Sequence, residues 1–284
     1  MGILSPKSIF TISKKEFMDN IRNKWIILLT VIFVLLIIIS SYLAGGQAGS
    51  DNIFGNMQNS VLALLGISSI IIPLIAIVLG CLTISGEAES GSLNVVLSYP
   101  VSRLEVLLGK FFGLGFVLIF SIILGFGIGG IIIATTYGGE EAVGYLAFIG
   151  LSIILGFIYL SVSICISSLF KKRITSIFGG IIILFWGLIY GFIIVGILLG
   201  NGYSYEDLFI GNLPDWFYNS VVFSPGDLYQ TAVQLAFGER TITAMGSSWT
   251  IPNFLTIELL LIVHMIWIIV PLILAYVFFK KRDI

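Results

Sequence analysis

Apolar residues fall in six long runs separated by short polar stretches: Trp25–Leu43, Val61–Ile84, Phe111–Ala134, Tyr145–Phe170, Ile174–Leu199 and Leu255–Phe279. A membrane span needs about 20 such residues to cross roughly 30 Å of hydrocarbon. Within lipid every backbone N–H and C=O must be paired inside the segment, so each run predicts a helix. A membrane β-barrel would alternate polar and apolar positions over about ten residues, and these runs do not. The pattern therefore predicts one all-α membrane domain, 1–284. It divides into a polar lead (1–24), a six-span bundle (25–279) and a short tail (280–284). The bundle carries a polar segment at 85–110 and a long loop at 200–254.

The polar segment reads ISGEAESGSLNVVLSYPVSRLEVLLGK, Ile84 to Lys110. Glu87 and Glu89 mark the end of the second span, because carboxylates are costly in hydrocarbon. Gly86 and Gly91 permit a sharp change of direction. Ser92 to Tyr99 is long enough for about two helical turns, with Leu93, Val96 and Leu97 on one face. Pro100 ends that piece by steering Tyr99 out of the α region. Ser102-x-x-Glu105 then forms a capping box at the start of the third span. A short helix lying across the mouth of a bundle is a place where a partner could push, tilting the second and third spans together. An ordinary interfacial loop fits the same residues.

Two further segments predict amphipathic helices. In the lead, Phe10, Phe17 and Ile21 share a face, with Lys14, Lys15, Arg22 and Lys24 placed for lipid phosphates; it reads as an interfacial anchor feeding the first span. In the long loop, Ser224-Pro225-Gly226-Asp227 is a helix start. Leu228, Ala232 and Leu235 follow on one face, and Gly238 closes the helix. This second helix is expected to lie on the outer leaflet or to cap a cavity.

Composition agrees with the pattern. Of 284 residues 58% are hydrophobic and 10% charged, against about 25% charged in soluble domains. Thirteen of the 14 Lys and Arg residues fall in the lead, the Ile84–Lys110 segment, Lys171-Lys172-Arg173 and the tail; Arg240 alone falls on the other side. Positive residues stay inside, so both termini are expected in the cytoplasm. Acids predominate on the opposite side: Asp51, Glu140, Glu141, Glu206, Asp207, Asp215, Asp227 and Glu239. Cys81 and Cys165 lie inside spans as small hydrophobes. The lead has no small-residue cleavage site, so it is not read as a signal peptide.

Intramembrane polar groups are candidates for function, and the sixth span holds Glu258 and His264. Being six residues apart, they do not share a face. Gly109-x-x-x-Gly113, Gly125-x-x-x-Gly129 and Gly187-x-x-x-Gly191 suit close helix packing, within one chain or across a dimer seam. No G-x-x-x-x-G-K-[ST] phosphate loop, H-E-x-x-H pair or metal cluster is present in the sequence. Energy for any transport must then come from a partner or from an ion gradient.

The Ile84–Lys110 segment resembles the signature of type-two ABC exporter permeases, in particular the NosY-like branch. The matching elements are the acidic pair Glu87 and Glu89, Gly91-Ser92-Leu93, the Pro100-Val101-Ser102-Arg103 turn and Gly109-Lys110. Weaker likeness extends to Lys15-Glu16-Phe17 with Arg22-Asn23-Lys24-Trp25, and to Ser224-Pro225. The resemblance implies a non-catalytic permease in a prokaryotic plasma membrane, in contact with membrane lipid. It would pair with a second permease subunit, identical or related, and with separate cytoplasmic ABC ATPase subunits that carry ATP and Mg. No cofactor in this chain and no nucleic-acid partner are expected. The segment between spans two and three would be the coupling helix, with Glu87, Glu89, Leu93, Val96, Leu97 and Arg103 as the coupling residues. Glu87→Lys with Glu89→Lys would then weaken ATPase docking and leave the bundle intact. The rival reading is a self-sufficient secondary transporter or channel using His264 and Glu258.

Overall fold

The apolar runs become helices whose ends follow the capping chemistry rather than the hydropathy edges. The computed structural model describes residues 5–46, 57–137, 142–211, 213–244 and 247–282. Asp51, Glu140 and Glu141 lie outside the described residues. The lead is α1 (Pro6–Ile21), with Pro6 at its first position. The first span is α2 (Lys24–Gly46) and the second α3 (Met57–Gly80). A turn leads to two short helices, α4 (Ser85–Glu89) and α5 (Ser92–Leu97). The third span, α6 (Arg103–Tyr137), begins eight residues before its apolar run. Ser102 and Glu105 exchange the two bonds of a capping box there, Glu105 N–H to Ser102 Oγ at 3.2 Å and Ser102 N–H to Glu105 Oε2 at 2.6 Å.

The fourth span is α7 (Ala142–Leu169). The fifth is not one helix: α8 (Arg173–Leu184) and α9 (Trp186–Gly200) meet at Phe185 with a 49° bend. Among the described residues five helices are long and apolar enough to cross a membrane, and the bent pair, taken as one span, makes a sixth. α13 (Ile257–Lys281) is the last and continues through Pro271. α7 is the central post, packed against α3, α6 and α13. Its buried side includes Phe148, Leu151, Leu155 and Leu160.

Between α9 and α13 the chain forms α10 (Tyr205–Ile210), α11 (Asp215–Asn219), a 3₁₀ turn (Ser220–Phe223) and α12 (Pro225–Ala236). A two-stranded antiparallel hairpin follows, β1 (Thr241–Ala244) with β2 (Ser247–Thr250). The helix start is as expected: Ser224 caps, Pro225 is first and Gly238 ends the helix with φ +78°. Its position differs from an outer-leaflet helix. Leu228, Tyr229, Ala232 and Val233 are all buried. The Tyr229 hydroxyl shares hydrogen bonds with Ser68 of α3 at 2.9 Å and Ser152 of α7 at 2.8 Å. Ser152 lies ten residues into α7, about 15 Å along its axis at 1.5 Å per residue. Trp267, ten residues into α13, donates to the Val222 carbonyl at 2.9 Å. The 3₁₀ turn and α12 thus dip among the spans to about half their length. A tyrosine whose hydroxyl finds two buried partners can go where an unpaired one would be too costly.

Candidate functional site

The basic end of the bundle is where the predicted coupling residues meet. Gly91 links α4 to α5 with φ +75°, a left-handed turn that glycine adopts without steric cost. α5 then lies with Leu93 fully buried and with Val96 and Leu97 half-buried against the core. Its outward face is a different set: Val95 is 62% exposed and Tyr99, just beyond the helix, 66%.

At α4, the helix that precedes α5, lies a charge network. Lys110, 1% exposed, donates from Nζ to Glu87 Oε1 at 2.7 Å and to Glu16 Oε1 at 2.9 Å. Lys15 flanks it, 3.3 Å from Glu16, 3.5 Å from Asp19 and 4.0 Å from Glu87. Three elements, α1, α4 and α6, are joined at one ammonium. Burial pushes the Glu16 carboxyl upward, but the Lys110 and Lys15 ammoniums outweigh it and hold the group below its ordinary value. Burial likewise works against the Lys15 charge, and Glu16, Glu87 and Asp19 reverse it, so that ammonium is held more tightly than usual. Glu105 adds a second tie between lead and span: besides its capping bond, Oε1 accepts from Ser5 N–H at 2.6 Å.

The close approach of α1 to α6 depends on two glycines. A Cβ at Gly113 would stand 2.6 Å from the Ser13 carbonyl oxygen, and one at Gly109 would stand 2.7 Å from Ile12 Cβ. A Cβ at Gly125 would meet the Phe33 ring of α2, so that G-x-x-x-G pair is also used within the chain. Gly187 and Gly191 are different: the nearest atom to a Cβ at Gly187 is 3.9 Å away, and Gly191 faces open space.

Charged side chains at this end close off helix termini. Arg103 Nη1 donates to the carbonyls of Phe279, Lys280 and Arg282, at 2.5, 3.1 and 2.8 Å, and its guanidinium lies over the Phe279 ring. Arg282 donates to the Ser167 carbonyl in the last turn of α7 and to the Lys171 carbonyl just after it. Arg173 donates to the Gly86 carbonyl at 2.9 Å, while Glu89 Oε2 accepts from the Arg173 N–H at the start of α8. Cationic groups at C-termini and a carboxylate at an N-terminus complement the helix dipoles.

The predicted coupling residues therefore occupy three settings. Leu93, Val96 and Leu97 seat α5. Glu87 joins the buried ammonium, and Glu89 and Arg103 hold α8 and α13. Lys110 and Glu16 carry the network and were not among them. The signal was present in sequence: a lysine eight residues past the capping serine with no acid one turn away, Val106 and Leu114 being its neighbours, needs a partner from elsewhere.

His264 and Glu258 are far apart in character. The Glu258 carboxylate is fully exposed in the first turn of α13. His264 is fully buried; Nδ1 donates to the Leu260 carbonyl at 2.6 Å, and Nε2 has no partner. The structure does not bring the two together. Among the described residues no group of three His, Cys, Asp or Glu side chains is arranged to hold a metal ion.

The sequence profile of the ABC-2 family transporter proteins matches residues 10–284. A protein of Stutzerimonas stutzeri described as a probable ABC transporter permease protein NosY is 28% identical over 287 residues, covering 96% of this chain and 98% of that one. Its Pseudomonas aeruginosa counterpart, with the same description, is 33% identical over 164 residues, covering 56% of this chain and 59% of that one. With a helical bundle of spans and a profile match over nearly its whole length, this chain belongs to the ABC-2 family and is a multi-pass permease subunit of an ABC transporter.

Proposed function

We propose that the subunit works in an ATP-driven exporter, pairs with a second permease subunit and is moved by separate cytoplasmic ATPases through α4 and α5. The observation that carries this reading is the division of labour around α5. Its outer face offers Val95 and Tyr99 to a partner, while its base is fixed by Leu93 and, through Glu87, to Lys110 and Glu16. A push on Val95 and Tyr99 is thereby delivered to α1 and α6 together. Glu89 and Arg103 extend the same push to α8 and α13. ATP and Mg would be held by the partner, and the basic end, with both chain termini, would face the cytoplasm.

The test is co-purification of the ATPase with Val95→Asp/Tyr99→Ala. Both side chains are exposed, so the thermal midpoint of the permease should stay within a degree or two of wild type while the captured ATPase falls severalfold. Unchanged capture would sink the proposal.

A further inference from the structure

At the end of the bundle opposite α5, a cavity of about 380 Å³ lies between α9 and the stretch that runs from α11 through the 3₁₀ turn to α12. That volume falls among small-molecule pockets, about 300–1,000 Å³. Tyr190, Phe217 and Tyr218 line it, together with Asp227, Thr231 and Gln234. No Lys or Arg is among its lining residues. Arg240, the basic residue of this loop, is not among them and donates to the Pro252 carbonyl at 3.1 Å.

Asp227 has a structural explanation, since the first turn of a helix favours a carboxylate and Ser224 caps the same turn. That explanation does not account for the rest of the wall. Three aromatic side chains share the cavity with that carboxylate, and the Gln234 Oε1 atom is buried without a hydrogen-bond partner. Aromatic faces attract cations through the ring quadrupole, most strongly where water is excluded, and a carboxylate at the same place adds the countercharge.

We propose that this cavity binds an organic cation through its ammonium group, with Asp227 as counterion, Tyr190, Phe217 and Tyr218 as the aromatic surround and Gln234 as a hydrogen-bond acceptor. The proposal does not depend on coupling to an ATPase, because binding is read on the permease alone. The ammonium can belong to a free solute or to the headgroup of a zwitterionic phospholipid.

The experiment compares choline with its neutral isostere 3,3-dimethylbutan-1-ol on the full-length protein in detergent, by equilibrium binding and by thermal shift. Choline is expected to bind about tenfold or more tightly than the isostere. Asp227→Asn should abolish that preference, and Tyr218→Leu should reduce it. The second variant keeps the test intact if Asp227→Asn folds poorly, because Tyr218 is only partly buried. In nanodiscs, suppression of choline binding by phosphatidylethanolamine relative to phosphatidylglycerol would assign the ammonium to a lipid headgroup. Equal binding in the two lipids would assign it to a free cation; both results support the site. Equal affinity for choline and the isostere would overturn it, as would a charge preference that survives in both variants.

Discussion

Lys110→Met is the most informative single change at the basic end. The wild-type ammonium is 2.7 Å from Glu87 and 2.9 Å from Glu16. At an effective dielectric near 20, each contact is worth roughly 6 kcal/mol of gross attraction. Desolvation of three charged groups offsets most of that sum. What remains measurable is the cost of leaving carboxylates without their partner, about 3–5 kcal/mol when one member of a buried pair is removed. Lys15, already 3.3 Å from Glu16, can cover part of the gap, so we expect about 3 kcal/mol. Methionine keeps most of the stem volume, so the loss reports charge rather than a cavity. The assay is unfolding in mixed micelles for wild type, Lys110→Met, Glu87→Gln and the double variant. Because the two residues touch, the double variant should lose less than the two single losses added together, by about 1–3 kcal/mol. Strict additivity, or a Lys110→Met variant as stable as wild type, would refute the network. The same geometry makes Glu87→Lys a poor probe of ATPase docking. It sets a second ammonium against Lys110, and any loss of docking would follow from damage to the permease.

Three other outcomes are expected. The Glu16 carboxyl is held below its ordinary 4.5, so its contribution is complete above that pH and fades as pH falls through the lowered value; the gap in thermal midpoint between wild type and Glu16→Gln should therefore be widest near neutrality and close below pH 4.5. Gly113→Val drives a side chain into the Ser13 carbonyl and Glu16 Cβ, so α1 should lift and become accessible to protease at a cost of about 1–3 kcal/mol, whereas Gly191→Val should leave the isolated subunit unchanged. Tyr229→Phe removes the Ser152 hydroxyl's hydrogen-bond partner and should cost about 1–2 kcal/mol, most of it recovered in Tyr229→Phe/Ser152→Ala; a Tyr229→Phe midpoint equal to wild type would contradict the buried polar contact.

Local chemistry was readable in the chain, and long-range pairing was not. The spans followed from run length, the start of α6 from Ser102 and Glu105, the turn before α5 from Gly91, and the ends of α12 from Ser224 and Gly238. Each depends on residues a few positions apart. The bend at Phe185 left no mark in an unbroken apolar run. The dip of α12 into the bundle depends on Ser68 and Ser152, 161 and 77 residues from Tyr229. An amphipathic pattern does not distinguish a helix lying on a membrane from one inserted between spans. The charge network at the basic end was half legible for the same reason. Leu93 and Glu87 declare themselves by face and position, while Glu16 meets Lys110 only because Gly109 and Gly113 let α1 approach.

That approach also bears on how a push could be passed on. α5, six residues long, is too short to be stable by itself, and Leu93 is its one fully buried side chain. A helix so lightly held would rock independently of the spans if apolar contact were its only tie. The Glu87–Lys110–Glu16 contacts are directional and short-ranged, and breaking them inside the bundle is costly, so they tie α4, α1 and α6 to one another. An apolar replacement of the triad that matches its stability would still lose that directional link. The distinguishing result is therefore a triple variant, Glu16→Leu/Glu87→Leu/Lys110→Met, that folds as well as wild type and captures the ATPase normally. If it hydrolyses ATP without moving substrate, the buried charges serve coupling; if it transports at the wild-type rate, they hold the helices together only as apolar side chains would.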